Sequence, residues 1–426
     1  MRIHYLKKSD EDVCNSEDVG IESMAGLRPV KVVGRGAMGT VFLAQGQDCE
    51  KPALAMKVMS KPVMEKKSDG LKRARTEREI LSGLRHPFLP ELMGYVETDK
   101  IVAWVMDYCP GGDLNALRHR QAEKMFSEST IRFYAAEIVL ALEHLHSLGV
   151  VYRDLKPENV LIQSNGHIML TDFDLSTRLP PQGSLSADNV DQEQENEPSQ
   201  QRASLGCLIP KNCVIPQNAK SKKGRRPNTA RVSPVVKARK GTSPNGAASS
   251  SPTSSVCGQK LNSFVGTEEY VSPEMVKDAG HDFRVDWWAL GILLYEMQYG
   301  KTPFKGATRR ETFYKILVQN PEFMGPWTPL RDLILKLLEK EPEKRLASAR
   351  NIKSHLFFRG LNWDAVPHIP RAPYVPPPVS HEDLSSLKTL DIEQYVHKEA
   401  DPKEDDKDNM APTSPKEGKT NDFGLF

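Results

Sequence analysis

The sequence has 426 residues, enough for one large or two ordinary domains with a substantial buried core. Its hydrophobic share of 38% lies below the globular norm, and its 31 prolines indicate unstructured stretches beside folded ones. The formal net charge of +2 excludes a global field that attracts nucleic acid or membranes, so any such partner must bind a local patch. The six cysteines lack C-x-x-C spacing, which fits free thiols in a reducing compartment better than disulfides or zinc ligands.

The first 26 residues are polar and lack the apolar segment of a secretory signal. Arg2 stands where myristoylation requires glycine, and no run approaches the roughly 20 apolar residues of a transmembrane helix. We therefore expect an intracellular protein in the cytoplasm and nucleus, with peripheral association with the plasma membrane as an alternative.

Residues 27–110 predict a small lobe that is rich in strands. Short apolar or alternating segments predict strands at PVKVV, TVFLA, LAMKVM and IVAWVMDY. Between them, the helical spacing of Ile80, Leu81 and Leu84 predicts one helix over residues 72–84.

Beyond Gly112 the pattern becomes helical. Ser127 is a candidate N-cap and Gly149 a stop for a helix over residues 128–148, and further helices are predicted at 283–299 and 328–339. The apolar stripe of the first helix consists of Ile131, Tyr134, Ala135, Ile138, Leu142 and Leu145. Residues 180–260 are rich in Ser, Pro, Gln, Asn and Gly and cannot repay their ordering entropy, which predicts a disordered insertion.

A glycine-rich turn lies between the first two predicted strands. Its sequence is Gly34-Arg35-Gly36-Ala37-Met38-Gly39-Thr40-Val41. Glycines allow a backbone to approach phosphate groups, and a dinucleotide site is disfavoured because a strand follows instead of a helix. On the next strand, a lysine that faces this turn, Lys57, can hold phosphates if a carboxylate orients it. Glu77 on the predicted helix is the better candidate, and Glu79, on a different face, is the alternative.

Three further motifs follow along the chain. They are Tyr152-Arg153-Asp154-Leu155-Lys156-Pro157-Glu158-Asn159, Thr171-Asp172-Phe173-Asp174 and Ser272-Pro273-Glu274. With the glycine-rich turn they make the chain resemble the eukaryotic protein kinase superfamily over residues 28–359. The resemblance implies a bilobal α+β kinase fold, with a β-rich N-lobe at 27–110, a helical C-lobe at 111–359 and a C-terminal tail at 360–426.

The resemblance also implies roles for individual residues. Asp154 would accept or orient the proton of the substrate hydroxyl, Lys156 would steady the γ-phosphate, and Asn159 and Asp172 would hold Mg²⁺, with Mn²⁺ as an alternative. The remaining expected ATP contacts are Val41, Ala55 and Leu161 around the adenine, Met106 behind it, the Asp107–Cys109 backbone at its edge, and Asp113.

Several features resemble one branch of this superfamily, the AGC kinases. These are Tyr152 in place of histidine, Phe88, the VDWWALG run at 285–291 and the proline-rich APYVPPP at 372–378. Asp174, where the metal loop normally has glycine, and the long insertion are similar to the plant AGC VIII group of PINOID and UNICORN type, which implies a role in plant development or growth signalling. Glycine permits a backbone flip that aspartate tolerates less well.

Regulation is implied by the same resemblance. Ser263 occupies the position of an activating phosphosite, and its phosphate would bind Arg153 and Arg73. Phe423 and Phe426 would form an F-x-x-F hydrophobic motif that recruits an upstream phosphoinositide-dependent kinase.

Substrate choice is implied by three acids. Asp113, Glu158 and Glu296 match the acids with which basophilic AGC kinases bind arginine or lysine near the phosphoacceptor. We therefore expect protein substrates with basic residues, and a kinase that acts as a monomer.

The basic cluster KSKKGRRP at 220–227 is a nuclear import signal, an anionic-lipid contact through 220–240, or an inert solvated loop. Two other functions stay open. A pseudokinase scaffold has no use for the complete set of Lys57, Asp154, Asn159 and Asp172. A nucleic-acid-binding protein lacks aromatic residues among these bases, so no specific nucleic acid is expected.

Overall fold

The computed structural model of the chain describes residues 2–4, 27–36, 38–46, 52–67, 69–179, 265–379, 384 and 386–400, and for residues 2–4 and 397–400 only the backbone. Several predictions lie outside the described residues: nearly all of the N-terminal extension 1–26, the insertion at 180–260 with its basic cluster, Ala37, Ser263, Phe423 and Phe426.

The strands follow one another along the chain as β1 (Arg2–His4), β2 (Arg28–Arg35), β3 (Thr40–Gln45), β4 (Leu54–Ser60), β5 (Gly94–Glu97), β6 (Ile101–Asp107), β7 (Val150–Val151), β8 (Val160–Ile162), β9 (Ile168–Leu170) and β10 (Thr177–Arg178). The helices are α1 (Lys61–Lys66), α2 (Gly70–Ser82), α3 (Leu114–His119), α4 (Glu128–Ser147), α5 (Pro273–Val276), α6 (Arg284–Tyr299), α7 (Arg309–Val318), α8 (Pro329–Leu337), α9 (Ala349–Lys353) and α10 (Ile392–Ala400).

The small lobe is built on one antiparallel sheet. Six strands of the described chain form it in the order β1-β5-β6-β4-β3-β2, with β2 and β3 joined by the glycine-rich turn. Gly36 N–H donates to the Gly39 carbonyl at 2.9 Å, which closes the turn. A Cβ at Gly39 would lie 2.2 Å from the Val58 carbonyl oxygen of β4, so this approach requires glycine.

The predicted helix of the small lobe is confirmed as α2, which begins and ends two residues earlier than expected. It begins at Gly70, where a Cβ would lie 2.3 Å from the Met64 carbonyl oxygen of α1, and it ends before Gly83. Its buried face includes Glu77, Ile80 and Leu81, so one carboxylate faces the protein interior with the apolar stripe.

The larger lobe is helical, as predicted. The Ser127 hydroxyl caps α4 by accepting from Thr130 N–H, Gly149 follows the helix with a φ of 73°, and the whole predicted stripe of α4 is buried. The second predicted helix, at 283–299, is α6, which is buried along nearly its whole length and ends at Gly300 with a φ of 70°. The third predicted helix is α8.

The tail returns to the small lobe. Leu390 N–H donates to the Pro29 carbonyl of β2 at 2.7 Å, and buried Val396 of α10 packs with the outer face of the sheet. The Tyr395 ring meets Phe42 edge-on at 5.3 Å between ring centroids. Across the part of the chain that the structure describes, no helix combines the length and apolar character needed to cross a membrane.

Candidate active site

A cleft of about 430 Å³ opens between the glycine-rich turn and the start of the helical lobe. Its size suits a nucleotide-like ligand. The predicted ATP contacts that line it are Gly34, Arg35, Gly36, Met38, Gly39, Val41, Ala55, Lys57, Met106, Asp107, Cys109, Asp113 and Leu161. Ala37 lies outside the described residues.

One end of the cleft is apolar. The β4–β6 register pairs Ala55 with Met106, and Leu161 of β8 enters from the larger lobe. Burial raises the pKa of the Cys109 thiol to about 12, so this side chain is neutral near pH 7. The arrangement supplies flat apolar walls beside a backbone edge that can donate and accept hydrogen bonds.

Lys57 lies at the other end of the cleft and contacts two carboxylates. Its Nζ atom is 2.6 Å from Glu77 Oε1 and 2.9 Å from Asp172 Oδ1. Burial alone lowers the pKa of Lys57, but Glu77 and Asp172 outweigh it and raise that pKa above its ordinary value. The alternative partner, Glu79, is exposed on another face of α2. The structure thus places Glu77, and not Glu79, against Lys57.

The loop after β7 gathers a second polar group around Asp154. Its Oδ2 accepts from Lys156 Nζ at 2.7 Å and from Asn159 Nδ2 at 2.8 Å. Burial raises the pKa of the Asp154 carboxyl, while the bonds from Lys156 and Asn159 oppose that rise. The hydroxyl of Thr267 lies 3.4 Å from the other oxygen, Oδ1, a contact that the sequence motifs do not predict.

This loop is held from below by Asp286, a residue at the start of α6 that is fully buried. Its carboxylate accepts from the backbone N–H of Tyr152 at 2.9 Å and of Arg153 at 2.8 Å, and it bonds His146. Arg153 has a φ of 67°, a strained conformation that the two bonds stabilise. The available sequence signal was an acid at the edge of an apolar helix, VDWWALG, where an unpaired charge is costly.

The segment after β9 brings Asp172 beside this group. Thr171 N–H donates to the Asn159 carbonyl at 3.0 Å, and the Tyr152 hydroxyl donates to the Thr171 carbonyl. Burial alone raises the pKa of Asp172, but the charge and hydrogen bond of Lys57 prevail and lower it. Asp172 is therefore an ionised carboxylate near neutral pH.

Asp172 and Asn159 offer oxygen ligands for a divalent cation. Because the Asn159 amide nitrogen donates to both the carbonyl and the carboxylate of Asp154, its oxygen faces away from that residue. Within the described ranges, no group of three or more His, Cys, Asp or Glu side chains forms a metal cage. Such a pair fits a hard cation that takes its other ligands from phosphates and water.

Asp174 contacts helix α2. Arg73 Nη2 lies 2.7 Å from each Asp174 carboxylate oxygen, and Arg73 Nε donates to the Asp174 carbonyl at 3.3 Å. Arg153 Nε donates to the next carbonyl, that of Leu175, at 2.6 Å. Asp174 is not among the described residues with positive φ, whereas Asp172 is, with a φ of 59°. The backbone position that favours glycine is therefore at 172.

The three predicted substrate acids lie in different surroundings. Asp113 Oδ1 accepts from Ala116 N–H at 2.7 Å and so caps α3. Glu296 is largely buried and forms an ion pair with Arg118 at 2.8 Å. Glu158 is exposed, and its pKa is raised by partial burial and by the neighbouring Glu296 and Asp113. The acids are thus close together, but only Glu158 presents an exposed carboxylate.

The model of one family, the protein kinase domain, matches residues 27–193 and 246–358. The chain belongs to the protein kinase family.

Relatives of this kinase match over most of its length. Serine/threonine-protein kinase OXI1 of Arabidopsis thaliana is 43% identical over 379 residues, which cover 87% of this chain and 84% of the relative. Serine/threonine-protein kinase UCN of the same plant is 42% identical over 366 residues, 82% of this chain and 83% of the relative. Serine/threonine-protein kinase UCNL is 43% identical over 384 residues, 87% and 88% of the two chains.

These relatives confirm the resemblance to the plant AGC VIII group, and the chain is a serine/threonine protein kinase. The bilobal fold is confirmed as well. Membership of the family implies the use of ATP and a divalent cation. Of the predicted site residues, the structure joins Lys57 to Glu77 and Asp154 to Lys156 and Asn159. It joins Arg73 to Asp174, a contact that the sequence did not predict.

Proposed function

We propose that this kinase transfers the γ-phosphate of Mg²⁺-bound ATP to serine or threonine of proteins with basic residues near the phosphoacceptor, in plant developmental or growth signalling. The observation that carries the proposal is the convergence of two polar groups on one cleft: Lys57 with Glu77 and Asp172, and Asp154 with Lys156 and Asn159.

In this mechanism Lys57 binds the α- and β-phosphates and Glu77 holds its ammonium group in place. Asp154 orients the substrate hydroxyl and receives its proton, and Lys156 neutralises charge on the transferred phosphoryl group. Asp172 and Asn159 would hold a divalent cation, which would supply electrostatic stabilisation to the phosphates. Because phosphoryl transfer needs positioning and charge more than covalent chemistry, these fixed side chains account for most of the expected rate.

Transfer of radiolabelled phosphate to a peptide tests the proposal. Asp172→Asn should abolish transfer while the fold is retained, because an amide cannot supply the carboxylate charge. Activity within about tenfold of wild type, some 1.4 kcal/mol of barrier, would contradict its role as a metal ligand.

Asp154→Ala should reduce kcat by orders of magnitude with little change in ATP affinity. Glu77→Gln should also lower the rate of phosphate transfer, whereas Glu79→Gln, a control on the same helix, should not. Wild type without any transfer would favour a pseudokinase scaffold.

The exposed carboxylate of Glu158 supports the proposed preference for basic substrates. Peptides with arginine before the phosphoacceptor should be phosphorylated faster than the same peptides with alanine there. Glu158→Ala should reduce this ratio of rates. Glu128, an exposed acid at the start of α4, provides the matched control variant Glu128→Ala. An unchanged arginine preference in Glu158→Ala would contradict the assignment.

Other partners and the location are part of the proposal on sequence grounds alone. An upstream phosphoinositide-dependent kinase would bind the F-x-x-F motif and phosphorylate Ser263, so changing both Phe423 and Phe426 to Ala should lower Ser263 phosphorylation. Residues 220–240 would contact anionic lipid or direct nuclear import, placing a monomeric enzyme in the cytoplasm and nucleus and at the plasma membrane.

A further inference from the structure

The contact between Arg73 and Asp174 joins two parts of the catalytic machinery. Arg73 lies one helical turn before Glu77 on α2, and Asp174 follows Asp172 and Phe173 in the metal-binding segment. Lys57 already bridges the same two elements through Glu77 and Asp172. Arg73 and Asp174 thus add a second link, parallel to the first and outside the nucleotide cleft.

The Arg73–Asp174 ion pair differs from an ordinary exposed surface pair in its burial and its geometry. The Asp174 side chain is only 9% exposed, and both of its carboxylate oxygens face the same guanidinium nitrogen. A carboxylate buried to this extent needs a cation, because removing one partner leaves an uncompensated charge. The bond from Arg73 Nε to the Asp174 carbonyl adds the backbone to the contact.

A second arginine extends this coupling to the catalytic loop. Arg153 Nε donates to the Leu175 carbonyl, and Gly266, which follows the insertion and Ser263 in the chain, lies beside the Arg153 carbonyl. Arg73 and Arg153 are the two residues expected to bind a phosphate on Ser263. In this structure they already bind adjacent residues of the metal-binding segment.

We propose that Asp174 is a positioning residue that holds α2 against the metal-binding segment, residues 172–174, when Ser263 carries no phosphate. The proposal rests on the kinase function proposed above and assigns a role to the position where the motif normally has glycine. By occupying Arg73, the Asp174 carboxylate takes over one of the two contacts otherwise made by the activating phosphate. The kinase therefore has substantial activity before Ser263 is phosphorylated.

A double-mutant cycle in a Ser263→Ala parent tests this proposal. Arg73→Met and Asp174→Asn should each lower kcat/KM for ATP about tenfold, and the double variant should be no worse than either, because both remove one contact. Arg73→Lys, which keeps a cation, should recover part of the loss. Arg75→Met removes a charge from an exposed position of the same helix and should have no such effect. The proposal would be overturned if the loss of kcat/KM in the double variant equalled the product of the two single losses. An equal loss in Arg75→Met would overturn it as well.

Dependence on phosphorylation separates positioning from a merely structural role. With Ser263 phosphorylated, Asp174→Gly should lose less activity than in the Ser263→Ala parent, because the phosphate then binds Arg73. An equal loss in both backgrounds overturns the proposal, as does an inactive Ser263→Ala parent beside an active wild type. If wild type also transfers no phosphate, the proposed function fails. The positioning role is then tested by the affinity for a fluorescent ATP analogue. Arg73→Met and Asp174→Asn should each weaken this affinity, and the double variant should bind no more weakly than either.

Discussion

At the scale of single residues, Asp286 connects the core of the larger lobe to the loop that carries Asp154. It is fully buried at the start of α6 and accepts from two successive backbone N–H groups just before Asp154. A carboxylate can accept several hydrogen bonds at once, so a single side chain fixes the local path of the catalytic loop.

Replacing Asp286 with alanine should therefore affect stability and catalysis together. The variant leaves the buried Tyr152 N–H and the partly buried Arg153 N–H without their acceptor, which should destabilise the fold by on the order of 3 kcal/mol. It should also lower kcat, because Arg153 loses support for its positive φ. Urea unfolding and steady-state kinetics measure the two effects. Asp282→Ala, a nearby and less buried acid, is the control. A fully active, fully stable Asp286→Ala variant would contradict this role.

At the scale of elements, the connection between α2 and β5 contains a histidine whose ring nitrogen accepts a backbone hydrogen bond. His86 Nδ1 accepts from Phe88 N–H at 3.2 Å, and its ring stacks on His144 at 5.0 Å between centroids. Burial, with a smaller contribution from His144, lowers the pKa of His86 from 6.5 to about 4. Protonation would remove the acceptor and add charge beside a second imidazole.

Acidification should consequently weaken the fold through His86. Because the folded pKa lies below the unfolded value, this stability is present above pH 6.5 and is lost as pH falls toward 4. The melting temperature of wild type should fall between about pH 7.5 and 5, and His86→Asn, which keeps an acceptor but cannot titrate, should show a smaller fall. His368→Asn, at an exposed histidine, should match wild type. Identical pH profiles for His86→Asn and wild type would refute the assignment.

The Tyr395 side chain of the tail helix α10 contacts the glycine-rich turn. The Tyr395 hydroxyl accepts from Arg35 Nη2, and the Arg35 guanidinium lies 5.7 Å from the centre of the Tyr395 ring. Arg35 lines the nucleotide cleft, so the tail helix and the turn are mechanically linked.

Tyr395→Phe should raise KM for ATP a few-fold, because it removes the hydroxyl while keeping the ring contact with Phe42. Tyr395→Ala should raise it further and lower the melting temperature, since the ring packing is lost as well. Steady-state kinetics at varied ATP reveal the effect, with Gln394→Ala at an exposed position as control. An ATP KM unchanged in both tyrosine variants would show that the link has no role in nucleotide binding.

At the scale of the whole molecule, the cleft draws its lining from both lobes, so a nucleotide should act as a link between them. Lys57 and Ala55 come from the sheet, whereas Asp172 and Leu161 come from the larger lobe.

ATP with Mg²⁺, at a concentration of 100 times the dissociation constant, should raise the free energy of unfolding by about 2.7 kcal/mol. Removal of the metal with a chelator should reduce this gain in wild type. Asp172→Asn should show little difference with and without chelator, because it lacks the carboxylate that we propose as the metal ligand. Thermal unfolding with and without chelator measures both. The same chelator effect in Asp172→Asn and wild type would exclude Asp172 as the main protein ligand.

Most of the fold was predictable because its signals are local. Helix α4 was located by a 3/4 apolar stripe, a Ser127 cap and the stop at Gly149, all of which act within one or two turns. The glycine-rich turn is also local, and the order of the motifs led to the family. The sequence favoured Glu77 over Glu79 because the two lie on different faces of one helix, and the structure then placed Glu77 on the buried face of α2.

Only the tertiary structure decided which polar groups pair across the chain. Asp286 bonds Tyr152 and Arg153 over sequence separations of 134 and 133, and Arg73 reaches Asp174 over a separation of 101. Glu296 turned out to be paired with Arg118. Local periodicity carries no information about such partners, because a buried charge selects whichever opposite charge or N–H group the packing of distant elements brings within about 3 Å. The sequence by itself therefore determined the fold and the residue types of the site, and the packing of the lobes determined which of them act on one another.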